Sequence, residues 1–164
     1  MDWTHACGRK CPDAAWMRKV AAEREFLHRG HQSSRPLSHD YEYIGLMGEL
    51  AFHKATGEVV DLQPRPEGDG AVDFRVGKWC IDVKTARKPG NMLREAGKRL
   101  NADILVLARY SDKTEDATLL GWEWDYNMLK APRKDFGYGV MNHFVPRPKL
   151  KHLWELWMLL QYGS

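Results

Sequence analysis

Residues 71–85, Ala-Val-Asp-Phe-Arg-Val-Gly-Lys-Trp-Cys-Ile-Asp-Val-Lys-Thr, decide the fold of this chain. Polar and apolar residues alternate on both sides of Gly77-Lys78, and this alternation predicts two β-strands joined by a tight turn. Glycine favours such a turn because it adopts positive φ angles at little cost. With a two-residue loop, the pairing of the strands places Asp73 opposite Asp82.

Because side chains alternate between faces along a strand, the predicted hairpin has one apolar and one polar face. The apolar face carries Val72, Phe74, Val76, Trp79, Ile81 and Val83. The polar face carries Asp73, Asp82 and Lys84. Like charges placed opposite each other destabilise a hairpin, so two facing carboxylates beside a lysine indicate a site for a divalent cation. The alternative is that these residues form only the solvent-exposed side of a half-buried hairpin.

A third carboxylate, Glu49, lies upstream on a predicted helix, with Gly45 one turn before it and Gly48 next to it. Glycine inside a helix costs up to about 1 kcal/mol relative to alanine, so two within one turn indicate the close approach of another element. We expect the acidic face of the hairpin to make this approach and to lie near Glu49. The alternative is a tightly packed helix with Glu49 at its solvent-exposed edge.

Three carboxylates and an adjacent lysine fit the hydrolysis of phosphodiester bonds. Hard oxygen ligands suit Mg²⁺ or Mn²⁺. Such an ion polarises a phosphoryl oxygen and acidifies a bound water. Lys84 can orient that water or offset charge in the transition state.

These residues resemble the PD-(D/E)XK nuclease superfamily, whose members share the restriction-endonuclease-like fold. The resemblance rests on residues 45–52 (Gly-Leu-Met-Gly-Glu-Leu-Ala-Phe), 68–74 (Gly-Asp-Gly-Ala-Val-Asp-Phe) and 81–85 (Ile-Asp-Val-Lys-Thr). It implies that Asp82-Val83-Lys84 is the D/E-X-K tripeptide, Asp73 its preceding aspartate and Glu49 the acid of the first core helix. The implied catalytic residues are Glu49, Asp73, Asp82 and Lys84. The implied ligands of Mg²⁺ or Mn²⁺ are Glu49, Asp73, Asp82 and the carbonyl of Val83.

The chain is also similar to small nucleases encoded by phages and mobile elements, through residues 102–107 (Ala-Asp-Ile-Leu-Val-Leu) and 120–122 (Leu-Gly-Trp). The resemblance covers about residues 40–125. Two features depart from it: Val72 stands where many members have proline, and no Gln-x-x-x-Tyr element of exonucleases follows Lys84. Asp69 is an alternative ligand, although we expect it to stabilise a turn.

The resemblance implies a divalent-metal-dependent nuclease that hydrolyses DNA, as an endonuclease rather than an exonuclease, with nicked or branched DNA as candidate substrates. RNA is an alternative substrate. A different class of function is a catalytically silent protein that keeps the fold and binds nucleic acid or a partner. The intact acids and lysine argue against this second hypothesis.

The composition, with 43% hydrophobic and 29% charged residues in 164, is that of a globular chain of one domain. No apolar run approaches the roughly 20 residues that span a bilayer, and the first residues do not resemble a signal peptide. Three cysteines, an odd number, favour a reducing cytoplasm, which for a phage protein is that of the host. We expect no membrane partner.

Two segments are basic although the net charge is only +3. Residues 84–99 and residues 130–152 each contain six lysines and arginines against one acid. Such segments beside an acidic centre are suited to contact a phosphate backbone. The alternative is that they are ordinary solvated surface.

The order of elements predicts an α/β protein, a single domain with a restriction-endonuclease-like mixed β-sheet flanked by helices. Helices are predicted at residues 14–29, ending at Gly30, at 40–56, with Ser38 or Asp40 as the cap and Gly57 as the stop, and at 92–100, 125–131 and 150–162. Strands are predicted, besides the hairpin, at residues 59–62, 103–110, 117–124 and 139–145, the last within a loop-like segment at 132–148, and residues 63–70 are predicted to be irregular. The continuous apolar run 103–110 predicts the middle strand of the sheet, buried on both faces and next to the hairpin. In the strand at 117–124, Leu120, Trp122 and Trp124 are expected on one side. We divide the chain into an N-terminal helical extension, residues 1–38, and a nuclease-like core with a C-terminal helix, residues 39–164.

Other residues that could carry chemistry have simpler interpretations. His5, Cys7 and Cys11 are too loosely spaced for a zinc site. Cys80 lies beside the acidic face without a histidine to activate it, and His143 is interpreted as a surface residue. The tryptophans at 122, 124, 154 and 157 are expected to pack in the core, or to form a homodimer face on the C-terminal helix, rather than to stack on bases.

Overall fold

The computed structural model describes residues 12–27, 40–60 and 72–163. Its helices are α1 (Ala14–Leu27), α2 (Tyr41–Thr56), α3 (Asp125–Met128) and α4 (Leu153–Tyr162), with a 3₁₀ turn at Arg147–Lys149. Its strands are β1 (Phe74–Val76), β2 (Trp79–Ala86), β3 (Asn91–Glu95), β4 (Ile104–Ser111), β5 (Asp116–Trp124), β6 (Arg133–Asp135) and β7 (Met141–Pro146).

The hairpin predicted from residues 71–85 is confirmed as β1 and β2. Phe74 pairs with Ile81 and Val76 pairs with Trp79, which leaves Gly77-Lys78 as the two-residue loop. Gly77 has a φ of 57°, the positive value for which glycine is suited.

The main sheet is mixed, with the strand order β1-β2-β4-β5. β4 lies in its interior, parallel to β2 and antiparallel to β5. Residues 104–108 of β4 are all buried, as its continuous apolar run predicted for a strand covered on both faces. The predicted central strand and its neighbouring hairpin are therefore confirmed.

A second sheet with the order β3-β7-β6 was not predicted. The helix expected at residues 92–100 is wrong, because residues 91–95 form β3, which pairs antiparallel with β7. Met92 and Arg94 are buried, whereas Asn91, Leu93 and Glu95 are only partly buried. The segment therefore buries alternate side chains, as a strand does. Tertiary pairing with β7 has overridden the local preference for a helix.

Two apolar clusters hold these layers together. On one face of the main sheet, α1, α2 and α4 cover Ile81, Val83 and Val106. On the other face, Leu105 and Leu107 pack with Met92 of β3 and Met128 of α3. The chain is thus a mixed α/β domain whose main sheet has helices on one face and the small sheet on the other.

A β-bulge in β5 corrects one detail of the predicted core. Leu107 pairs with Gly121 and Ala108 pairs with Leu119, so Leu120 has no partner in the ladder. Leu120 packs in the cluster of Leu105 and Leu107, opposite to Trp122, rather than on the same side as expected. The extra residue of a bulge reverses the alternation of the strand.

The remaining boundaries follow the sequence closely. α2 begins after Asp40 and ends at Gly57, as predicted. Val59 and Val60 belong to no strand, and β6 was missed inside a segment interpreted as loop. The end of α1 near Gly30, residues 61–62 of the predicted strand, the irregular segment 63–70 with Asp69, and the residues His5, Cys7 and Cys11 lie outside the described residues.

Within the described ranges, no helix has the length and apolar character required to cross a membrane.

Candidate functional site

The β1–β2 hairpin holds the first predicted acid against the backbone of the tripeptide. Asp73 directly precedes β1, and its Oδ2 accepts a hydrogen bond from the Val83 N–H at 2.6 Å. This N–H belongs to the peptide between Asp82 and Val83. The Asp73 carboxylate therefore lies beside the middle of the Asp82-Val83-Lys84 segment, as the predicted register required.

The second acid and the lysine form an ion pair on β2. Lys84 Nζ lies 2.6 Å from Asp82 Oδ2, and only 12% of the Asp82 side chain is exposed against 41% for Lys84. Asp82 Oδ2 accepts no hydrogen bond within the described part of the chain, so the contact with Lys84 is a charge pair outside hydrogen-bonding geometry. Asp82 is buried, and the alternative of a merely solvent-exposed polar face does not describe it.

Asp82 and Lys84 lie on the face of the main sheet that the small sheet covers. In the parallel ladder Asp82 pairs with Leu105 and Lys84 pairs with Leu107. Directly paired residues share a face, and Leu105 and Leu107 pack against Met92 of the small sheet. The charged pair therefore lies next to the cluster between the two sheets.

Helix α2 approaches β2 closely, but from the opposite side to the one expected. A Cβ atom at Gly48 would lie 1.9 Å from Thr85 Oγ1, whereas a Cβ at Gly45 would meet nothing within 4 Å. Thr85 alternates with Lys84 and lies on the face that carries Ile81 and Val83. The close approach predicted from the glycines is confirmed at Gly48, and its partner is the apolar face of the hairpin rather than the acidic one.

Glu49 is buried, with 8% of its surface exposed, and not at a solvent-exposed edge. Its Oε1 lies 3.9 Å from Nη1 of Arg24 on α1, and both side chains are about nine-tenths buried. In residues 12–27, 40–60 and 72–163, no three His, Cys, Asp or Glu side chains form a group that could hold a metal ion. The structure thus places Asp73 against the backbone N–H of Val83, pairs Asp82 with Lys84, and places Glu49 beside a buried arginine.

Arg75 is a further cation on the polar face of the hairpin, and the metal-site hypothesis gave it no role. Its Nη1 donates a hydrogen bond to Cys80 Sγ at 3.0 Å, and Arg75 and Cys80 are partners in the ladder. Cys80 is free and lies beside the acids as predicted. Strict alternation from Asp73 would have found Arg75, since the two residues are two positions apart.

Trp122 and Trp124, two of the four tryptophans considered in the sequence, pack in the core. Trp122 is buried, and its Nε1 donates a hydrogen bond to the His152 carbonyl at 3.0 Å. Trp124 packs edge-on against Trp122 and Trp79. Core packing is therefore confirmed for this pair, whereas Trp154 on α4 is 65% exposed.

His143 is half-buried rather than a freely exposed surface residue. Its Nδ1 lies 3.0 Å from the Ala131 carbonyl, within hydrogen-bonding distance. This contact joins β7 to the segment before β6 and gives the ring a structural role.

Comparison of this chain with protein-family models, with curated proteins and with solved structures found no match.

Proposed function

We propose that this chain is a divalent-metal-dependent nuclease with a restriction-endonuclease-like fold, which hydrolyses DNA phosphodiester bonds as an endonuclease. The observation that carries the proposal is the geometry of the β1–β2 hairpin. The Asp73 carboxylate is bound to the Val83 N–H beside Asp82, and the buried Asp82 pairs with Lys84.

The acids of the hairpin fit a hard cation such as Mg²⁺ or Mn²⁺. Asp82 Oδ2 is a buried carboxylate oxygen without a hydrogen bond within the described residues. Its charge is balanced by the Lys84 ammonium at 2.6 Å, and a metal ion at this oxygen would take over that role and free Lys84 to contact the substrate. Asp73, Asp82 and the Val83 carbonyl supply the oxygen ligands that these cations prefer. Glu49 remains the proposed fourth ligand. This role requires Glu49 to leave its contact with Arg24 and to reach the acids from α2, which packs on the opposite face of β2.

When bound, the metal ion would polarise the scissile phosphate and acidify a water molecule. Lys84 is suited to position the attacking water or to stabilise charge in the transition state, because its side chain is partly exposed and its ammonium is held beside Asp82. It donates hydrogen bonds to the attacking water, or to a phosphoryl oxygen on which negative charge grows. The burial of Asp82 strengthens both interactions because charges interact more strongly where water is excluded.

The main sheet agrees with the expected restriction-endonuclease-like sheet, but the layer that covers one of its faces differs from the expected one. The hairpin beside the parallel pair β2 and β4, with helices packed on one side, agrees with the expected mixed sheet. On the other side, the small sheet occupies the position where a helix after Lys84 was expected.

One observation favours a second candidate function, a catalytically silent protein that binds nucleic acid. Among the residues that the structure describes, Glu49 lies beside Arg24 and belongs to no group of three metal-ligating side chains. A permanent pair of this kind would leave the proposed metal with two acidic ligands.

Cleavage of DNA separates the two functions. Purified protein is incubated with single-stranded, duplex, nicked and four-way DNA, and with RNA, in the presence of Mg²⁺, Mn²⁺ or EDTA. We expect cleavage of at least one DNA substrate that EDTA stops and that Asp82→Asn abolishes. A protein that binds these substrates but cuts none of them with either metal would establish the silent alternative.

A further inference from the structure

Exposed cations gather around the small sheet. Eight exposed lysines and arginines on or beside β3, β6 and β7 form no ion pair within the described part of the chain. They are Lys88, Lys98, Arg99, Lys130, Arg133, Lys134, Arg147 and Lys149. The other basic residues of the same two segments are paired, as Arg94 is with Asp125 and Lys151 is with Glu123.

The β6–β7 hairpin is the most prominent part of this basic surface. All three residues of β6 are exposed, and Tyr138 in the connecting loop is 54% exposed. The carboxylate of Asp135 accepts hydrogen bonds from the N–H groups of Gly137, Tyr138 and Gly139 at 2.8–3.2 Å. These bonds hold the loop in one shape and occupy the acid of the hairpin, so the loop is organised before any ligand binds.

β6 is an edge strand of the small sheet, because β7 pairs with β6 on one side and with β3 on the other. The cations of β6 lie on both faces of this edge. Arg133 pairs with His143 and Lys134 pairs with Asn142, and successive residues of a strand point to opposite faces. A flat anionic surface, such as a membrane, would meet the cations of one face. A groove with phosphates along both walls would meet both.

The major groove of B-form DNA is about 12 Å wide and admits elements as thick as a β-ribbon. The part of the small sheet that would enter it is the edge formed by β6 and the loop 136–140. The major groove of an RNA duplex is too narrow for side chains to enter. The exposed cations on both faces of this edge and its fixed loop therefore fit a DNA duplex better than RNA or a lipid surface.

The small sheet also lies on the proposed catalytic side of the main sheet. Its Met92 packs against Leu105 and Leu107, and these two leucines are the ladder partners of Asp82 and Lys84. A duplex bound along the small sheet would therefore lie on the same side of the main sheet as the charged pair.

We propose that the outer edge of the β6–β7 hairpin, formed by β6 and the loop 136–140, enters the major groove of duplex DNA, with Arg133 and Lys134 on the two phosphate backbones and Tyr138 facing the base edges. The choice of DNA as ligand rests on the proposed function. The surface itself rests on the unpaired cations and on the shape of the hairpin.

Binding to a fluorescent DNA duplex, measured by anisotropy in EDTA over a series of salt concentrations, tests the proposal without cleavage. The variant Arg133→Ala with Lys134→Ala is compared with the control Lys19→Ala with Lys113→Ala, which removes the same charge from exposed positions elsewhere. Each phosphate contact contributes about one unit to the slope of log K against log salt, so we expect the hairpin variant to lower it by about two. We expect its Kd to rise about tenfold or more at low salt, and the control to stay near wild type.

Two further variants guard against a folding artefact. Lys130→Glu reverses a charge beside the hairpin and should also weaken binding, whereas Tyr138→Ala should weaken it without changing the salt slope, because it removes no charge. Melting temperatures close to wild type would show that both variants fold.

Several results would overturn the proposal: equal loss of binding in the control, an RNA duplex bound as tightly as DNA, or tighter binding to vesicles of 70% phosphatidylcholine and 30% phosphatidylserine. If the hairpin variant loses duplex binding but no metal supports cleavage, the binding surface stands and the nuclease does not. If wild type cuts DNA and the hairpin variant cuts it with an unchanged KM, the nuclease stands and the surface does not.

Discussion

The two hairpins of this chain, β1–β2 and β6–β7, differ in almost every physical property. The first has a two-residue loop, an apolar face under α2 and a buried acid, Asp82. The second has the five-residue loop 136–140 and three exposed residues in β6, whose cations form no ion pair within the described residues. A buried hairpin can hold charges in one fixed arrangement, whereas an exposed one offers its charges to another molecule.

From this difference we expect the β1–β2 hairpin to serve the chemical step and the β6–β7 hairpin to bind the substrate. In the proposed nuclease, variants of β1–β2 should lower kcat, and variants of β6–β7 should raise KM. The comparison fails if one hairpin affects both constants equally.

The largest effect is expected at Lys84. Lys84→Ala should lower the rate of metal-dependent cleavage about 10²–10⁴-fold, the range lost with a positioned proton donor or acceptor. Lys113→Ala is the matched control, because Lys113 is exposed, has no ion pair within the described residues and lies outside the basic surface of the small sheet. Single-turnover cleavage, with duplex binding in EDTA measured beside it, checks the prediction. Loss of binding together with cleavage would show that Lys84 belongs to the binding surface.

The next largest effect concerns the attachment of the small sheet. Arg94 pairs with Asp125, and its Nη1 also donates hydrogen bonds to the Glu95 and Lys98 carbonyls, each at 3.1 Å. Arg94→Met leaves a buried carboxylate without its partner, so we expect it to lower the free energy of unfolding by about 3 kcal/mol or more.

Urea denaturation of Arg94→Met measures this loss, and adding Asp125→Leu should recover part of it because no unpaired charge then remains. A single variant as stable as wild type would show that the ion pair does not secure the sheet.

Gly48 tests the support beneath the first hairpin. Gly48→Ala places a methyl group 1.9 Å from Thr85 Oγ1, and such overpacking typically costs about 1–3 kcal/mol. Gly45→Ala is the control on the same helix, since its Cβ would meet nothing within 4 Å. It should be neutral or should stabilise α2 by up to about 1 kcal/mol. Thermal melts of both variants test this prediction. Equal melting temperatures for Gly48→Ala and Gly45→Ala would contradict the close contact between Gly48 and Thr85.

The smallest effect is a pH dependence at the second hairpin. The N–H groups of Tyr138 and Gly137 lower the pKa of Asp135 below its ordinary value. Because the folded pKa is depressed, the ordering of the loop is complete above the unfolded pKa and is lost as the pH falls through the folded pKa.

The Tyr138 and Gly139 amide resonances should therefore shift with an apparent pKa below about 3.9. They should not shift in this way in Asp135→Asn. A midpoint at or above the ordinary value would contradict the hydrogen bonds.

The first hairpin could be predicted from the sequence because its alternation, its glycine turn and its register are all local. The second sheet could not. Residues 92–100 were interpreted as a helix, and Met92 is buried in a strand only because β7 provides a partner. Leu120 was placed on the wrong side of β5 because the bulge that reverses the alternation there depends on pairing with the neighbouring strand and cannot be read from the local sequence.

The sequence by itself determined the charge, register and faces of the β1–β2 hairpin, since these depend on the period of the strand and on one tight turn. The tertiary structure decided which neighbours those charges have. It placed Glu49 beside Arg24, brought α2 to the apolar face through Gly48, and gathered the unpaired cations around a sheet built from distant segments. Contacts between segments far apart in sequence depend on how whole layers pack, and no local pattern encodes that packing.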